Sequence, residues 1–188
     1  MSKQRAIWIV SILCAAAFGA FLGLRNRPGR VLKIGSQVPA LAVPVLPAGT
    51  VSLRDGHHDI LVLNFWATWC PPCVMEAPSL EKFAERVKPM GVRVLGISVD
   101  QDGAALSNFV AVRHITYPIA RDPNQYLSGR FGTHIFPETY IFDRNGRLAE
   151  KVIGAINWDD PRMIQFVRAL ADWKTQAVPQ QASTGASY

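Results

Sequence analysis

The chain has 188 residues, of which 49% are hydrophobic and 18% charged, so it can bury a sizeable core and does not have the composition of a disordered protein. Its formal net charge is +6, but residues 1–30 hold five basic residues and no acidic one, which leaves 15 basic residues against 14 acidic ones in the rest of the chain. Because that remainder is nearly neutral, a nucleic-acid-binding surface is not expected.

The first predicted element is a membrane span. Residues 6–24, AIWIVSILCAAAFGAFLGL, form a run of 19 residues without a charge between Arg5 and Arg25. At 1.5 Å per residue, such a helix covers about 30 Å, the thickness of the hydrocarbon core of a bilayer. We therefore interpret residues 1–30 as an N-terminal signal anchor with its basic flank. A cleaved signal peptide is the alternative, because the run contains small residues that suit a cleavage site.

A stretch punctuated by Pro and Gly leads into a domain predicted over residues 31–174. ILVLNFW at 60–66 is a short apolar run with β-branched and aromatic members, which predicts a buried central strand. After Cys70 the apolar residues recur every three or four positions, which predicts a helix with one buried face and with Pro78 inside it.

The second half of the domain is predicted to alternate strands and helices. VRVLGISVD at 92–100 indicates another buried strand, followed by a helix near 102–113 and a short segment at 116–122. Strand, helix and strand in this order imply a parallel pair. Asn145-Gly146 between two apolar runs is typical of a hairpin turn, so the sheet is expected to be mixed.

The domain is predicted to end in a helix capped by Asp159 or Asp160, with Pro161 in its first turn and apolar residues along one face. Residues 175–188 contain little that can be buried and are interpreted as a disordered tail. The expected fold class is therefore α/β, with a mixed central sheet flanked by helices.

The motif WCPPC, residues 69–73, carries the chemistry. Three cysteines are too few for a disulfide-stapled scaffold, and one CxxC lacks the second ligand pair of a structural zinc site. Cys70 is expected where a strand ends and a helix begins, which stabilises a thiolate, so it is the candidate nucleophile. Cys73, one turn further on, is the candidate resolving cysteine. Pro71 and Pro72 remove two N–H donors from this turn, which favours weaker thiolate stabilisation and a more reducing couple.

NFWATWCPPCVMEAP at 64–78, followed by FGTHIFPETYIFDRNG at 131–146, resembles the membrane-anchored, thioredoxin-like TlpA/ResA/CcmG group of thiol-disulfide oxidoreductases. The resemblance implies a thioredoxin-like fold, in which the mixed sheet and its helices carry a strand-helix insertion and follow an N-terminal membrane anchor. It also implies an enzyme that exchanges disulfides through Cys70 and Cys73 and needs no cofactor or metal.

The same resemblance marks the residues expected around the cysteines. Pro137 would be a cis proline that faces them, and the backbone before it would pair with an extended substrate segment. The cytochrome c maturation branch has Gly and a small residue before the proline, whereas this chain has Ile135 and Phe136, which leaves the identity of the substrate open. Around the site, the substrate-contacting loop residues would be Trp69, Pro71, Pro72, Phe136, Pro137 and Glu138.

Glu76, three residues after Cys73, matches an acid that this group carries near its active site. One helical turn would place it beneath the cysteines, where it can take the proton of Cys73 as that thiol attacks. Thioredoxin itself is less similar, because the position of its buried acid is Asn64 in this chain. A solvated helix glutamate is the alternative interpretation of Glu76.

The expected function is the reduction of disulfides in partner proteins, such as an apocytochrome c or a protein with a copper site. A membrane electron donor of the DsbD/CcdA type would then reduce the pair again. The expected location is the cell inner membrane, with a single span and the catalytic domain on the periplasmic side, because a tethered reductant is useful where thiols are otherwise oxidised. The count of positive charges beside the span, taken alone, favours the opposite orientation.

Two other functions stay open on the sequence alone. One is a copper metallochaperone, in which Cys70, Cys73 and a histidine such as His134 would hold Cu(I). The other is an adaptor domain with a structural disulfide, which would keep its function when both cysteines are replaced by serine.

Overall fold

The structure is a computed structural model, and it describes residues 32–54 and 59–172 together with Trp8, residues 12–14, Ala16 and residues 18–19. In this described part, no helix is long and apolar enough to span a membrane. Most of the signal anchor assigned to residues 1–30 and the whole tail assigned to residues 175–188 lie outside the described residues, so both stay predictions.

A seven-stranded mixed sheet forms the centre of the domain. In chain order its strands are β1 (Ala42–Leu46), β2 (Thr50–Ser52), β3 (Ile60–Trp66), β4 (Val92–Ser98), β5 (Ile119–Arg121), β6 (Glu138–Phe142) and β7 (Leu148–Ile153). They lie side by side in the order β2-β1-β5-β4-β3-β6-β7. β3, β4 and β5 are parallel and the other neighbouring pairs are antiparallel, so the predicted mixed sheet is confirmed.

Helices follow most of the strands within residues 59–172. They are α1 (Pro71–Val87), the 3-10 helix Lys88–Met90, α2 (Gly103–Val112), α3 (Tyr126–Phe131) and α4 (Pro161–Asp172). Pro78 lies inside α1, as predicted. β5 and α3 come between α2 and β6.

β3 lies inside the sheet, between β4 and β6, and all seven of its residues are buried. Its apolar side chains alternate between two core clusters, with Ile60 and Val62 on one face and Leu61, Leu63 and Phe65 on the other. A strand that is apolar on both faces has to be covered on both faces. The body of β3 is therefore buried, and the chain leaves the sheet only at the carboxyl end of this strand, where the turn to α1 begins.

Two element ends refine the sequence prediction. The strand predicted at 92–100 ends at Ser98, where the Asp100 N–H donates to Ser98 Oγ at 3.1 Å and turns the chain out of the sheet. The last helix is capped by Asp160, whose carboxylate accepts the N–H of Arg162 at 2.8 Å. Asp159, the other candidate cap, pairs with Arg86 instead.

Candidate active site

The two cysteines lie where β3 passes into α1, as predicted. Cys70 is the N-cap residue of α1 and forms a disulfide with Cys73. Only 5% and 2% of their surfaces are exposed. Pro71 and Pro72 fill the first two helical positions, so the N–H of Cys73 is the backbone donor that reaches Cys70 Sγ, at 3.3 Å. The junction thus offers this sulfur fewer donors than a turn without prolines would.

The Phe136–Pro137 peptide bond is cis and lies against the disulfide, as the resemblance implies. The carbonyl oxygen of Phe136 is 3.6 Å from Cys70 Sγ. Pro137 is buried, and its own carbonyl accepts a hydrogen bond from the Gly154 N–H at 2.9 Å. The ring of Trp69 lies edge-on to that of Phe136, with the ring centres 6.2 Å apart. A backbone carbonyl and an exposed indole therefore flank Cys70.

Glu138 directly follows the cis proline, but its side chain faces the other layer of the sheet. Its carboxylate pairs with Lys151 Nζ at 2.6 Å and lies 3.1 Å from the hydroxyl of Tyr140, a member of the core cluster that does not contain the cysteines. The same hydroxyl is 2.9 Å from Thr133 Oγ1 and 3.0 Å from the Phe131 carbonyl. The Glu138 side chain, predicted to contact substrate, thus stabilises the loop before β6 through Tyr140. Only the backbone of Glu138 is left to contact a substrate.

Glu76 is only 4% exposed, so the structure contradicts the alternative of a solvated glutamate. Its carboxylate accepts hydrogen bonds from Asn64 Nδ2 at 3.0 Å, from Trp158 Nε1 at 3.1 Å and from the Ile156 N–H at 3.3 Å. Asn64 also donates to Thr139 Oγ1 at 2.8 Å. Glu76 therefore connects α1 with β3, with β6 and with the segment between β7 and α4.

Burial raises the pKa of Glu76 above its ordinary value of 4.5, and the hydrogen bonds from Trp158, Ile156 and Asn64 offset part of the rise. Glu76 lies one turn after Cys73 on the buried face of α1. A carboxylate with increased proton affinity at this place is suited to accept a proton from inside the site. Trp158 was not identified from the sequence, although a buried indole N–H requires an acceptor.

A second buried carboxylate, also missed by the sequence reasoning, holds the turn before Cys70. Asp100 accepts the N–H of Thr68 at 3.0 Å, the hydroxyl of Thr68 at 2.6 Å and the hydroxyl of Ser98 at 2.6 Å. The available signal was the acidic residue that ends the run VRVLGISVD, because parallel strands bring their carboxyl ends to one edge of the sheet. Asp100 thus positions the loop that presents the nucleophile.

The residues required by the copper alternative do not form a ligand set in the described part of the chain. His134 is exposed. Among the described residues, no group of three His, Cys, Asp or Glu side chains is arranged to hold a metal ion. The two sulfurs of Cys70 and Cys73 are bonded to each other.

Comparisons with known proteins agree with this arrangement. The profile of the AhpC/TSA family matches residues 34–151. The chain is 30% identical to the thiol-disulfide oxidoreductase ResA of Bacillus thuringiensis (strain Al Hakam), over 82% of this chain and 91% of that protein. It is 32% identical to the thiol:disulfide interchange protein DsbE of Pseudomonas fluorescens biotype C, over 82% of this chain and 85% of that protein.

A solved structure extends the similarity to three dimensions. The crystal structure of a DsbE-type thiol:disulfide interchange protein from Chlorobium tepidum superposes with a TM-score of 0.69 at 26% identity. The superposition covers 74% of this chain and 99% of the other. The fold is thioredoxin-like, as the two motifs around residues 64–78 and 131–146 predicted.

Replacing Glu76 with Gln should change how stability depends on pH. Because the folded-state pKa of Glu76 lies above the ordinary value of 4.5, the unfolded chain loses this proton first as the pH rises. The free energy of unfolding of the wild type should therefore fall as the pH rises from the unfolded-state pKa of Glu76 to its higher folded-state pKa. Glu76→Gln does not titrate, so over this window it should gain stability relative to the wild type, as measured by urea unfolding at a series of pH values.

The control for the loss of one negative charge is Glu85→Gln, which removes an exposed carboxylate from the same helix. A difference between the wild type and Glu76→Gln that stays constant with pH would contradict the raised pKa.

Proposed function

The chain belongs to the AhpC/TSA family and is a thiol-disulfide oxidoreductase of the ResA and DsbE type, and on that premise we propose that it acts as a membrane-tethered reductant of disulfides in partner proteins. The observation that supports a reductant rather than an oxidant is the geometry of the turn at Cys70. Pro71 and Pro72 leave the Cys73 N–H as the backbone donor to the sulfur, so the thiolate is weakly stabilised. A couple whose thiolate is weakly stabilised is the more reducing one.

The exchange proceeds in two displacements that need no cofactor. The Cys70 thiolate attacks one sulfur of the partner's disulfide, a mixed disulfide forms, and the other partner sulfur leaves as a thiolate. Cys73 then attacks Cys70 Sγ, which releases the second partner thiolate and forms the Cys70–Cys73 disulfide. Two electrons pass from the pair to the partner, which takes up two protons.

Glu76 serves the second displacement. Cys73 is nearly buried and has to lose its proton before it attacks, and burial disfavours the charged thiolate. Glu76, whose pKa is raised by burial, takes that proton. Asn64 and Trp158 hold the carboxylate in place, so the proton passes to a fixed acceptor.

The partners and the location belong to the same proposal. The reductant would be anchored in the inner membrane by residues 6–24 and would face the periplasm, where a thiol pair has to be kept reduced against an oxidising environment. Substrates would be disulfide-containing proteins, an apocytochrome c or a copper-site protein among them. A membrane transporter of the DsbD/CcdA type would return electrons to the pair.

The midpoint potential of the Cys70/Cys73 pair tests the direction. Equilibrated with glutathione or dithiothreitol redox buffers, the full-length chain should show a potential near or below that of thioredoxin, about −270 mV. A potential nearer about −120 mV would make the protein an oxidant. Failure of the pair to cycle would return the disulfide to a structural role in an adaptor domain.

The two cysteines should fail in different ways when replaced. Cys70→Ser should abolish exchange because the attacking sulfur is lost, whereas Cys73→Ser should accumulate a mixed disulfide that cannot be resolved. Non-reducing electrophoresis with a disulfide-containing substrate separates these outcomes. Cys14→Ser is the matched control, since Cys14 is a free cysteine outside the pair, and it should behave like the wild type. Trapping that depends on Cys14 would refute the assignment.

Glu76→Gln should slow turnover near neutral pH by about a hundredfold, because the proton acceptor is lost. The fold should persist, since the side-chain amide of Asn64 can rotate by about 180°. Its oxygen then accepts hydrogen bonds from the new glutamine N–H and from the Thr139 hydroxyl. The deficit should shrink at alkaline pH, where solvent hydroxide can deprotonate Cys73. Stopped-flow exchange rates across pH measure it, with Glu85→Gln as control. An unchanged pH profile would remove Glu76 from the mechanism.

A further inference from the structure

The segments that surround the disulfide carry no formal charge. Residues 66–75, 131–137 and 153–158 contain no Asp, Glu, Lys or Arg, although these residues make up 18% of the chain. The carboxylates that organise the site come from elsewhere or are buried, as Asp100 and Glu76 are. These three segments therefore bring no charged side chain to the disulfide, and the carboxylates that support them are buried.

Distances show that these three segments meet at one place. The Phe136 carbonyl is 3.6 Å from Cys70 Sγ, which joins the second segment to the first. The Gly154 N–H donates to the Pro137 carbonyl at 2.9 Å, which joins the third segment to the second. The three segments thus lie next to one another on the side of the disulfide that faces the cis proline.

Four large apolar side chains of these segments are exposed to solvent, namely Trp69, Met75, Ile135 and Ile153. Two of them directly precede the residues in contact at the disulfide, Trp69 before Cys70 and Ile135 before Phe136. Trp69 is 62% exposed and Ile135 is 63% exposed. Phe136, which follows Ile135 in the chain, is half-buried, and its ring contacts that of Trp69. We call Trp69, Ile135 and Phe136 the apolar rim. Exposed apolar side chains that adjoin a reactive group mark a surface that a partner covers.

The backbone at the rim is also open to a partner. In the described part of the chain, neither the N–H nor the carbonyl of Ile135 has a hydrogen-bond partner. Backbone groups without partners favour an extended segment that adds alongside them. An occupant of the rim would thus be held by its main chain while its side chains meet Trp69 and Ile135.

From these observations we infer that the apolar rim selects partner disulfides whose cysteine is flanked by apolar side chains in an extended segment. The inference rests on the proposed exchange function and specifies its substrate class. An apolar flank gains free energy when Trp69 and Ile135 cover it. A charged flank would lose water there and find no opposite charge within the rim.

Three disulfide peptides test the inference, identical except that the residues on either side of the cysteine are Leu, Ser or Glu. The reduced full-length chain should reduce the Leu peptide with a kcat/KM about tenfold higher than the Glu peptide, with the Ser peptide between them. The rates are compared at high ionic strength, because the net charge of +6 would otherwise attract the Glu peptide.

Matched variants assign the preference to the rim. Ile135→Ser should lower the Leu-to-Glu ratio of kcat/KM severalfold, because one of the two exposed side chains that cover the flank is lost. Ile34→Ser should keep the wild-type ratio, because Ile34 is as exposed as Ile135, at 65%, but lies away from the rim. The next residue, Gly35, donates a hydrogen bond to the Leu148 carbonyl, at the end of β7 that is far from Gly154. Urea unfolding checks that both variants stay folded.

The outcomes separate the inference from the proposed function. Equal reduction of all three peptides by the wild type, or a Leu preference that is as large in Ile135→Ser as in the wild type, would overturn the role of the rim and leave thiol-disulfide exchange intact. Failure to reduce any peptide would instead overturn the proposed function.

Discussion

The buried carboxylate of Glu76 is the interaction on which the arrangement of the site depends. A carboxylate cannot remain inside a core without hydrogen-bond donors, because the loss of hydration is too costly. Here the donors come from Asn64 on β3 and from Trp158 and Ile156 between β7 and α4. Any displacement of α1 relative to these elements would leave the carboxylate or its donors unsatisfied. The same requirement that holds the elements together therefore fixes the position of Cys73, one turn earlier in the same helix.

This carboxylate is under two opposing influences, and their balance suits it to proton transfer. Burial disfavours its charged form, whereas three hydrogen bonds from neutral donors favour it. Burial is the larger effect, so the pKa is raised, but the donors keep the ionised form accessible. An acid without donors would stay protonated, and a solvated acid would have little affinity for a proton near neutral pH. Asn64, which cannot titrate, leaves Glu76 as the buried acid that faces this part of the core.

Charge and apolar surface are divided between the inside and the outside of the site. Asp100 holds the turn before Cys70 from the end of β4, and the pair Glu138–Lys151 holds the loop before β6 from the opposite face of the sheet. Both loops reach the disulfide with uncharged residues. Buried polar groups thus hold the backbone in place, and the apolar rim that they position is free to meet a partner. This division explains how a site with several buried carboxylates presents none of them at its surface.

Local patterns in the sequence determined the central strand at 60–66, the helix after Cys70 and the redox pair itself, because hydrophobic period and CxxC spacing are properties of neighbouring residues. The resemblance carried by the two motifs also implied that Pro137 faces the cysteines. Only the tertiary structure decided which groups satisfy Glu76, since Asn64 is 12 residues away along the chain and Trp158 is 82. It also decided that the carboxylate of Glu138 faces away from the site. Strand order and register bring such residues together, and no local pattern in a single sequence encodes them.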